Sequence, residues 1–296
     1  MNAFRWFLAC ILLSAAAQAV SAQQASSGKT VEQWLAQLKD ADPANRRLAA
    51  VSLGSYGPDM SRAAIRTLGE SLKDDDATVR HAAALSLGNY GPAGKAALPA
   101  IRGAVKDSVH SVRRAAVFAL GNMGADAKPA IRELTEALGD PHETVRHAAA
   151  YALGSVGEEA KVATTALGNV VTNDGDADVR QAAAFALGEI GPDAGEAVPA
   201  LAKALVDADP GVRKAAVEAL GSMGPEAKPA VAALAQALLR DKDFAIRRSA
   251  AYALGEIGLE ARAAAPALGT ALQDSDSGVR FDAAQSLSVI GSEAKA

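Results

Sequence analysis

An arginine recurs eight times along this 296-residue chain, and an aspartate always stands six residues before it. The arginines are Arg46, Arg80, Arg113, Arg146, Arg180, Arg213, Arg247 and Arg280, and the aspartates are Asp40, Asp74, Asp107, Asp140, Asp174, Asp207, Asp241 and Asp274. A row of guanidinium groups could bind anions. Because every arginine has its own aspartate, we expect instead a structural ladder that joins each turn to its own or the next helix.

The four histidines, His81, His110, His142 and His147, are the second group that could support chemistry. A metal site needs ligands that converge on one point. His81 and His147 each follow an arginine of the row, but two repeats separate them, and packed helices lie about 8–10 Å apart. His142 and His147 are separated by a predicted helix cap. We therefore expect no metal site and no other cofactor.

Other catalytic patterns do not stand out in the sequence. It shows no nucleophile triad, phosphate-binding glycine loop or pair of carboxylates, and no strand is predicted. The many glycines are interpreted as helix ends. The formal net charge of −4, from 30 basic and 34 acidic residues, offers no overall attraction to nucleic acid or anionic membrane.

The recurring arginines and aspartates belong to a sequence repeat, and the fold of that repeat must position them. A leucine follows each arginine by seven residues, at Leu53, Leu87, Leu120, Leu153, Leu187, Leu220, Leu254 and Leu287, so that the period is 33 or 34 residues. Apolar or small residues at positions 79, 83, 87 and 90 have helical spacing. A glycine four residues after each leucine is predicted to end this helix in a left-handed conformation, at Gly57, Gly91, Gly124, Gly157, Gly191, Gly224, Gly258 and Gly291.

Each repeat is predicted to contain two helices. The second begins after a capping aspartate, as at Asp42, Asp76, Asp176, Asp209, Asp243 and Asp276. The first lies upstream of the turn, and several first helices begin near a proline, at Pro99, Pro129, Pro199, Pro229 and Pro266. Repeated helix pairs bury their apolar sides by stacking on neighbours, so we expect one continuous array.

The pattern Asp-x-Asp-x-x-Val-Arg-x-Ala-Ala-x-x-x-Leu-Gly-x-x-Gly of residues 207–224 resembles the short HEAT-like repeat of the phycobilisome-lyase type. Ankyrin and tetratricopeptide arrays have a similar period, but their signatures are missing. The resemblance covers roughly residues 30–296. It implies an all-α fold, an α-solenoid forming a right-handed superhelix of eight helix pairs, with the second helices on the concave side. Members of this family include scaffolds, lyase subunits and a hydroxylase, so the resemblance implies no single function.

The histidines require a comparison with deoxyhypusine hydroxylase, which is an enzyme of this repeat type. Its two irons are bound by repeated His-Glu pairs after the arginine of the second helix. The matching positions here read Arg80-His81-Ala82 and Arg146-His147-Ala148, without the glutamate. That ligand set therefore does not transfer. A bilin lyase subunit is a further alternative. The signal-peptide pattern of residues 1–22, described next, argues against it.

Residues 1–22 have the pattern of a signal peptide. Arg5 precedes an apolar run over positions 7–17, and small residues end at Ala22. A lipid anchor at Cys10 would need a longer apolar run before the cysteine. We expect cleavage, export to the periplasm or the medium, a linker over residues 23–29, and no transmembrane segment afterwards. The array then starts at Thr30, where Gln33 completes a capping box.

Residues one, five and nine positions after each arginine lie about 200° from the buried stripe of the second helix. Four of the nine aromatic residues beyond residue 22 take the middle position. Aromatic residues and arginine are enriched at binding hot spots. We therefore predict a protein or peptide partner, with no enzymatic activity, bound by His81, Arg114, Phe118, His147, Tyr151, Phe185, Arg248 and Tyr252. The alternative is that Phe118, Tyr151 and Phe185 pack against adjacent second helices.

Overall fold

The computed structural model describes residues 28–56 and 62–293, and all regular elements in these ranges are helices. The predicted signal peptide and residues 23–27 of the predicted linker lie outside the described residues. By packing, the chain divides into two compact units, Met1–Ala152 (unit 1) and Leu153–Ala296 (unit 2). Among the described helices, none has the length and apolarity needed to cross a bilayer.

Unit 1 alternates first and second helices, as the repeat predicts. Its helices are α1 (Val31–Gln37), α2 (Pro43–Gly54), α3 (Arg62–Glu70), α4 (Ala77–Asn89), α5 (Leu98–Ala104), α6 (His110–Asn122), α7 (Ile131–Ala137) and α8 (Glu143–Val156), the last of which contains the unit boundary. The even-numbered helices are the second helices and carry the recurring arginine. Short 3-10 helices, Ser71–Lys73, Gly91–Ala97 and Gly124–Ala130, connect several of them.

Unit 2 continues the same alternation. Its helices are α9 (Thr164–Asn173), α10 (Ala177–Ile190), α11 (Val198–Ala204), α12 (Pro210–Ser222), α13 (Val231–Arg240), α14 (Phe244–Ile257), α15 (Ala265–Ala271) and α16 (Ser277–Glu293). The 3-10 helices Gly157–Ala163, Gly191–Ala197, Gly224–Ala230 and Gly258–Ala264 precede the first helices.

The predicted helix caps are confirmed. The Thr30 hydroxyl accepts a hydrogen bond from the Gln33 amide at 3.4 Å, and Gln33 Oε1 accepts one from the Thr30 amide at 2.8 Å. Each of the six predicted capping aspartates accepts a hydrogen bond from the first turn of the helix that follows it. The side-chain oxygens satisfy amide groups that have no partner within the helix.

The recurring leucine forms the core. Seven of the eight, including Leu153, are 0% exposed, and Leu287 in α16 is half-buried. Alanines of the same helices are buried beside them. Such small side chains allow the second helices to pack closely within each unit.

The glycine that closes each repeat has a positive φ at Gly91, Gly124, Gly157, Gly191, Gly224 and Gly258, which confirms the predicted helix ends. At Gly191 the angles are φ 73° and ψ −144°, a conformation that is essentially restricted to glycine. Gly57 lies outside the described residues. The prediction is wrong for Gly291, because α16 continues through it to Glu293.

The glycine after the recurring leucine is not a helix end, and its interpretation as one is wrong. Gly88 lies inside α4, where an added Cβ would meet Ala119 Cα of α6 at 3.1 Å. Gly188 in α10 has the same relation to Ala219 of α12, also at 3.1 Å. These glycines instead allow two successive second helices to approach backbone to backbone.

The arginine–aspartate pairs form the predicted structural ladder, and the six pairs described below each join one repeat to the next. Nε and Nη2 of the arginine donate to both carboxylate oxygens of the following repeat's aspartate, with Nε–Oδ2 distances of 2.6–2.9 Å. The pairs are Arg46–Asp74, Arg80–Asp107 and Arg113–Asp140 in unit 1, and Arg180–Asp207, Arg213–Asp241 and Arg247–Asp274 in unit 2.

The third nitrogen of each guanidinium closes its own turn. In Arg80, Nη1 donates to the main-chain oxygens of Asp74 and Asp75 at 2.7 and 3.0 Å. All three nitrogens are therefore engaged, which opposes the anion-binding alternative for these six arginines. The hydrogen bond from Arg46, together with the charge of that side chain, holds the pKa of Asp74 below its ordinary value.

Candidate partner-binding surfaces

The side of each second helix that points away from the buried leucine forms the surface predicted from the sequence. We define the unit 1 face by the residues up to Ala152 that lie one, five or nine positions after the recurring arginine of each second helix: Arg47, Val51, Ser55, His81, Leu85, Asn89, Arg114, Phe118, Asn122, His147 and Tyr151. The unit 2 face has the corresponding residues Gln181, Phe185, Glu189, Lys214, Glu218, Ser222, Arg248, Tyr252, Glu256, Phe281, Gln285 and Val289. Every residue of both faces is exposed or half-buried.

In unit 1 the basic residues among the predicted binding residues differ in exposure. Arg114 is exposed, whereas His81 and His147 are half-buried. Nε2 of His81 is buried without a hydrogen-bond partner. Burial lowers the pKa of His81, and the positive charge of Arg114 lowers it further. His81 is therefore held in its neutral form on a face that already carries an unneutralised charge.

Phe118 and Tyr151, the two aromatic residues of the unit 1 face, differ in whether they pack against an adjacent second helix. Tyr151 is 46% exposed, so much of its ring is available to a ligand. Phe118 is half-buried, and its Cδ1 would lie 3.5 Å from a Cβ placed on Gly88 of α4. The packing alternative thus accounts for part of Phe118, while Tyr151 remains available for contact.

The unit 2 face combines exposed rings with paired charges. Phe185 is 47% exposed and Tyr252 is 57% exposed. The predicted binding residue Arg248 is exposed and donates from Nε to Oδ2 of buried Asp282 at 2.7 Å. A hydrogen bond with Glu256, one turn away, raises the pKa of the Tyr252 hydroxyl. Lys214 and Glu218 pair at 3.3 Å along α12. The face therefore offers aromatic contact area but few free charges.

Several exposed residues of these faces were not among the sequence candidates. Arg47 in α2 and Phe281 in α16 occupy the first position after the ladder arginine, and Phe281 is 59% exposed. The repeat register could have identified both, since the same count from Arg46 and Arg280 leads to them.

The rings of His110 and His142 stack with centroids 3.9 Å apart and planes inclined by 5°. This contact was also missed, although the two residues stand three and four positions before ladder arginines of successive repeats. His142 Nδ1 lies 3.5 Å from Glu143. In the described ranges, no three His, Cys, Asp or Glu side chains gather closely enough to hold a metal ion.

A cleft of about 510 Å³ lies elsewhere in unit 2, next to the ladder pair Arg213–Asp241. Its lining includes the apolar Leu205 and Val206 and the basic Arg240 and Lys242. It shares no residue with the unit 2 face.

The repeat pattern and the helix pairs agree with a comparison against known families. The model of HEAT repeats matches residues 31–121, 104–164, 164–254 and 231–296, which together span nearly all of the described chain. The chain is a HEAT-repeat protein. This confirms the resemblance seen in the sequence. A comparison with curated protein sequences finds no match.

Solved structures resemble this HEAT-repeat protein in fold. An engineered protein is 22% identical, with a TM-score of 0.52 over 93% of this chain and 91% of that chain. Importin beta is 16% identical, with a TM-score of 0.62 over 88% of this chain and 40% of that chain. The complex of CpcE and CpcF of phycocyanin lyase from Nostoc sp. PCC7120 is 25% identical, covering 89% and 94%, with a TM-score of 0.49. The chain is thus an all-α solenoid, as predicted.

Proposed function

We propose that this HEAT-repeat protein is an exported scaffold that binds a protein or peptide partner on its second-helix faces, and that it is not an enzyme. One observation carries this proposal. Tyr151, Phe185 and Tyr252 occupy the same repeat position and are each about half exposed. Rings held at a fixed position by a rigid helix offer large contact areas at low cost in conformational entropy.

The surroundings of the rings support binding in preference to packing. Arg114 and Arg248 are exposed on the same faces as the rings, and arginine and tyrosine are residue types that often dominate binding energy. HEAT repeats present such surfaces along stacked helices.

Export is the part of the proposal that rests on residues 1–22 alone. Their basic start, apolar run and small-residue end have the pattern of a cleaved signal peptide. Expression in the source cell, followed by fractionation and N-terminal sequencing, should find a product beginning at Gln23 outside the cytoplasm. An uncleaved product in the cytoplasm would contradict export while leaving partner binding to be tested separately.

Site-specific photo-crosslinking tests partner binding. A benzophenone amino acid is placed at Phe185 or Tyr252 and, as a control, at Val206, which is 83% exposed and lies outside the unit 2 face. We expect the two face positions to crosslink the same macromolecule and the control position to crosslink none. Crosslinks from Val206 alone would place the binding surface elsewhere.

Separate measurements test the alternatives that this protein is a metal-dependent enzyme or a lyase subunit. Elemental analysis and an absorbance spectrum of the purified protein report bound iron and bound bilin. We expect neither in stoichiometric amount. A stoichiometric metal or chromophore would contradict the scaffold proposal and favour a hydroxylase-like or bilin lyase-like activity.

A further inference from the structure

We propose that the unit 1 face binds an acidic peptide segment that also carries an apolar side chain. This inference rests on the proposed scaffold function and names the chemistry of its partner. It is carried by the distribution of charge on the face: the eleven residues of the unit 1 face include cationic and histidine side chains but no aspartate or glutamate.

The two arginines of the unit 1 face have no ion-pair partner among the described residues. Arg47 and Arg114 are both exposed, and neither is engaged by a carboxylate, unlike the neighbouring ladder arginines Arg46 and Arg113. His81, on the helix between them, also lacks a hydrogen-bond partner at Nε2. Glu143, one turn before His147 in the sequence, contacts His142 at 3.5 Å. A ligand carboxylate would therefore meet two unneutralised guanidinium groups.

The unit 2 face provides an internal comparison, because its cations are already neutralised. Lys214 pairs with Glu218, and Arg248 pairs with Asp282. Glu189 and Glu256 add exposed negative charge to the same face. The two faces have the same helical construction but opposite electrostatic preference, which points to unit 1 as the site for an anionic partner.

Next to the cations, the unit 1 face has an apolar row and a polar row. Val51, Leu85, Phe118 and Tyr151 occupy the middle positions and are half-buried or exposed. In the third row, Nδ2 of Asn89 donates to the Gly54 oxygen at 3.4 Å, and Nδ2 of Asn122 donates to the Gly88 oxygen at 3.2 Å. Each amide keeps Oδ1 and one N–H to bond a peptide main chain. The three rows together suit carboxylate, apolar side chain and main chain of one peptide.

The helix spacing sets the expected register of that peptide. Neighbouring packed helices lie about 8–10 Å apart, so Arg47 and Arg114, two second helices apart, are separated by about 16–20 Å. An extended peptide advances about 3.3 Å per residue. Two carboxylates that reach both arginines should therefore be five or six residues apart, with an apolar residue between them.

The same face fits nucleic acid and anionic membranes less well. Nucleic-acid binding typically engages about 6–10 phosphates, and polybasic membrane recognition uses about 4–8 lysines or arginines. The unit 1 face offers two arginines, and all four residues of its middle row are aliphatic or aromatic, a surface that phosphates would not cover.

Selection from a phage-displayed library of random dodecapeptides tests the inference. The bait is the purified full-length chain, compared with Arg47→Ala/Arg114→Ala and with the control Lys203→Ala/Arg262→Ala, whose two residues lie outside the unit 2 face. Both variants lose two exposed cations, but the control loses them in unit 2. We expect enriched peptides to carry two acidic residues five or six positions apart. A fluorescein-labelled clone should lose at least tenfold in affinity on the first variant and less than twofold on the control.

The outcomes separate this inference from the scaffold function. Enriched peptides without acidic residues, or equal binding by a version with Gln and Asn in place of Glu and Asp, would overturn the acidic partner while leaving the face as a binding surface. Tighter competition by a single-stranded 15-nucleotide DNA or by vesicles with 30% anionic lipid would also overturn it, in favour of those partners. Photo-crosslinking from Tyr151 of the unit 1 face, together with Phe185 and Tyr252, tests the scaffold function separately, because failure at all three positions would remove that function itself.

Discussion

Arg247 and Asp274 are 27 residues apart in the sequence, and their side chains meet in a two-bond ion pair, with Nε–Oδ2 at 2.8 Å and Nη2–Oδ1 at 2.9 Å. The hydrogen bonds from Arg247, more than any other contact, lower the pKa of Asp274 to about 2. One arginine thus joins its own turn to the next repeat. Stability in such an array comes from contacts between neighbours, so this pair is a measurable part of it.

The pair predicts a specific dependence on pH. Because the folded pKa lies below the ordinary value of 3.8, the stabilisation is complete above that value and is lost as pH falls towards about 2. Arg247→Gln should raise the pKa of Asp274 towards 3.8 and cost about 1.5–3 kcal/mol at neutral pH. Carbon-detected NMR of the Asp274 carboxyl and denaturant unfolding provide the two measurements.

Arg280→Gln is the matched control, since Arg280 donates to the main-chain oxygens of Asp274 and Ser275 but pairs with no carboxylate in the described chain. It should leave the pKa of Asp274 low. An equal rise of that pKa in both variants would show that the ladder bond is not its cause.

The two positions Gly191 and Gly291, equivalent in the repeat, predict opposite effects of the same substitution. Gly191→Ala should cost about 1–3 kcal/mol, because φ is +73° there although no atom lies within 4 Å of an added Cβ. Gly291→Ala should stabilise by about 0.5–1 kcal/mol, since Gly291 is an exposed helical residue. Thermal and urea unfolding of both variants provide the check, and effects of the same sign would contradict the assigned backbone conformations.

The close approach of α10 and α12 predicts a packing effect. Gly188→Val would drive a side chain into Ala219 and should destabilise unit 2 by about 1–3 kcal/mol. Gly269→Val is the control, because that exposed helical glycine has no atom within 4 Å of its Cβ direction. The control should change stability by less than about 0.5 kcal/mol. If urea unfolding shows equal losses for both, the close helix approach does not govern the result.

These two glycine roles show where sequence reasoning stops. Gly188 and Gly191 are three residues apart and both recur in every repeat or nearly so, yet one allows helix contact and the other ends a helix. Local pattern predicts the capping aspartates and the closing glycines because caps depend on nearby residues. The contact between α10 and α12 joins residues about thirty positions apart, and only the stacking geometry reveals it.

The ladder and the faces show the same boundary between local and stacked structure. Sequence spacing predicted that each arginine pairs with an aspartate, but its own repeat and the next were equally possible. Phe118 and Phe185 share one residue type and one repeat position, yet Phe118 packs near Gly88 while Phe185 is 47% exposed. Neighbouring helices decide this difference, and periodicity within one helix does not.

His81 predicts a second pH effect. Burial lowers its pKa below the ordinary value of 6.5, so the unfolded chain binds a proton that the folded chain resists. Stability should therefore fall as pH drops through 6.5, until the folded pKa is reached. Proton NMR of the imidazole should show a midpoint below 6.5 that rises in Arg114→Ala. A midpoint at or above 6.5 in the unmodified chain would contradict the burial of Nε2.

The central claim, that a partner binds the second-helix face, is tested most directly by the double variant Arg114→Ala/Tyr151→Ala. Both side chains are exposed on the unit 1 face. The account predicts a melting temperature close to that of the unmodified chain and a loss of partner affinity above about 1 kcal/mol per residue, measured by titration calorimetry with the crosslinked partner or selected peptide. A stable variant that binds with undiminished affinity would place the binding surface elsewhere, and a melting temperature many degrees lower would show that these residues belong to the core.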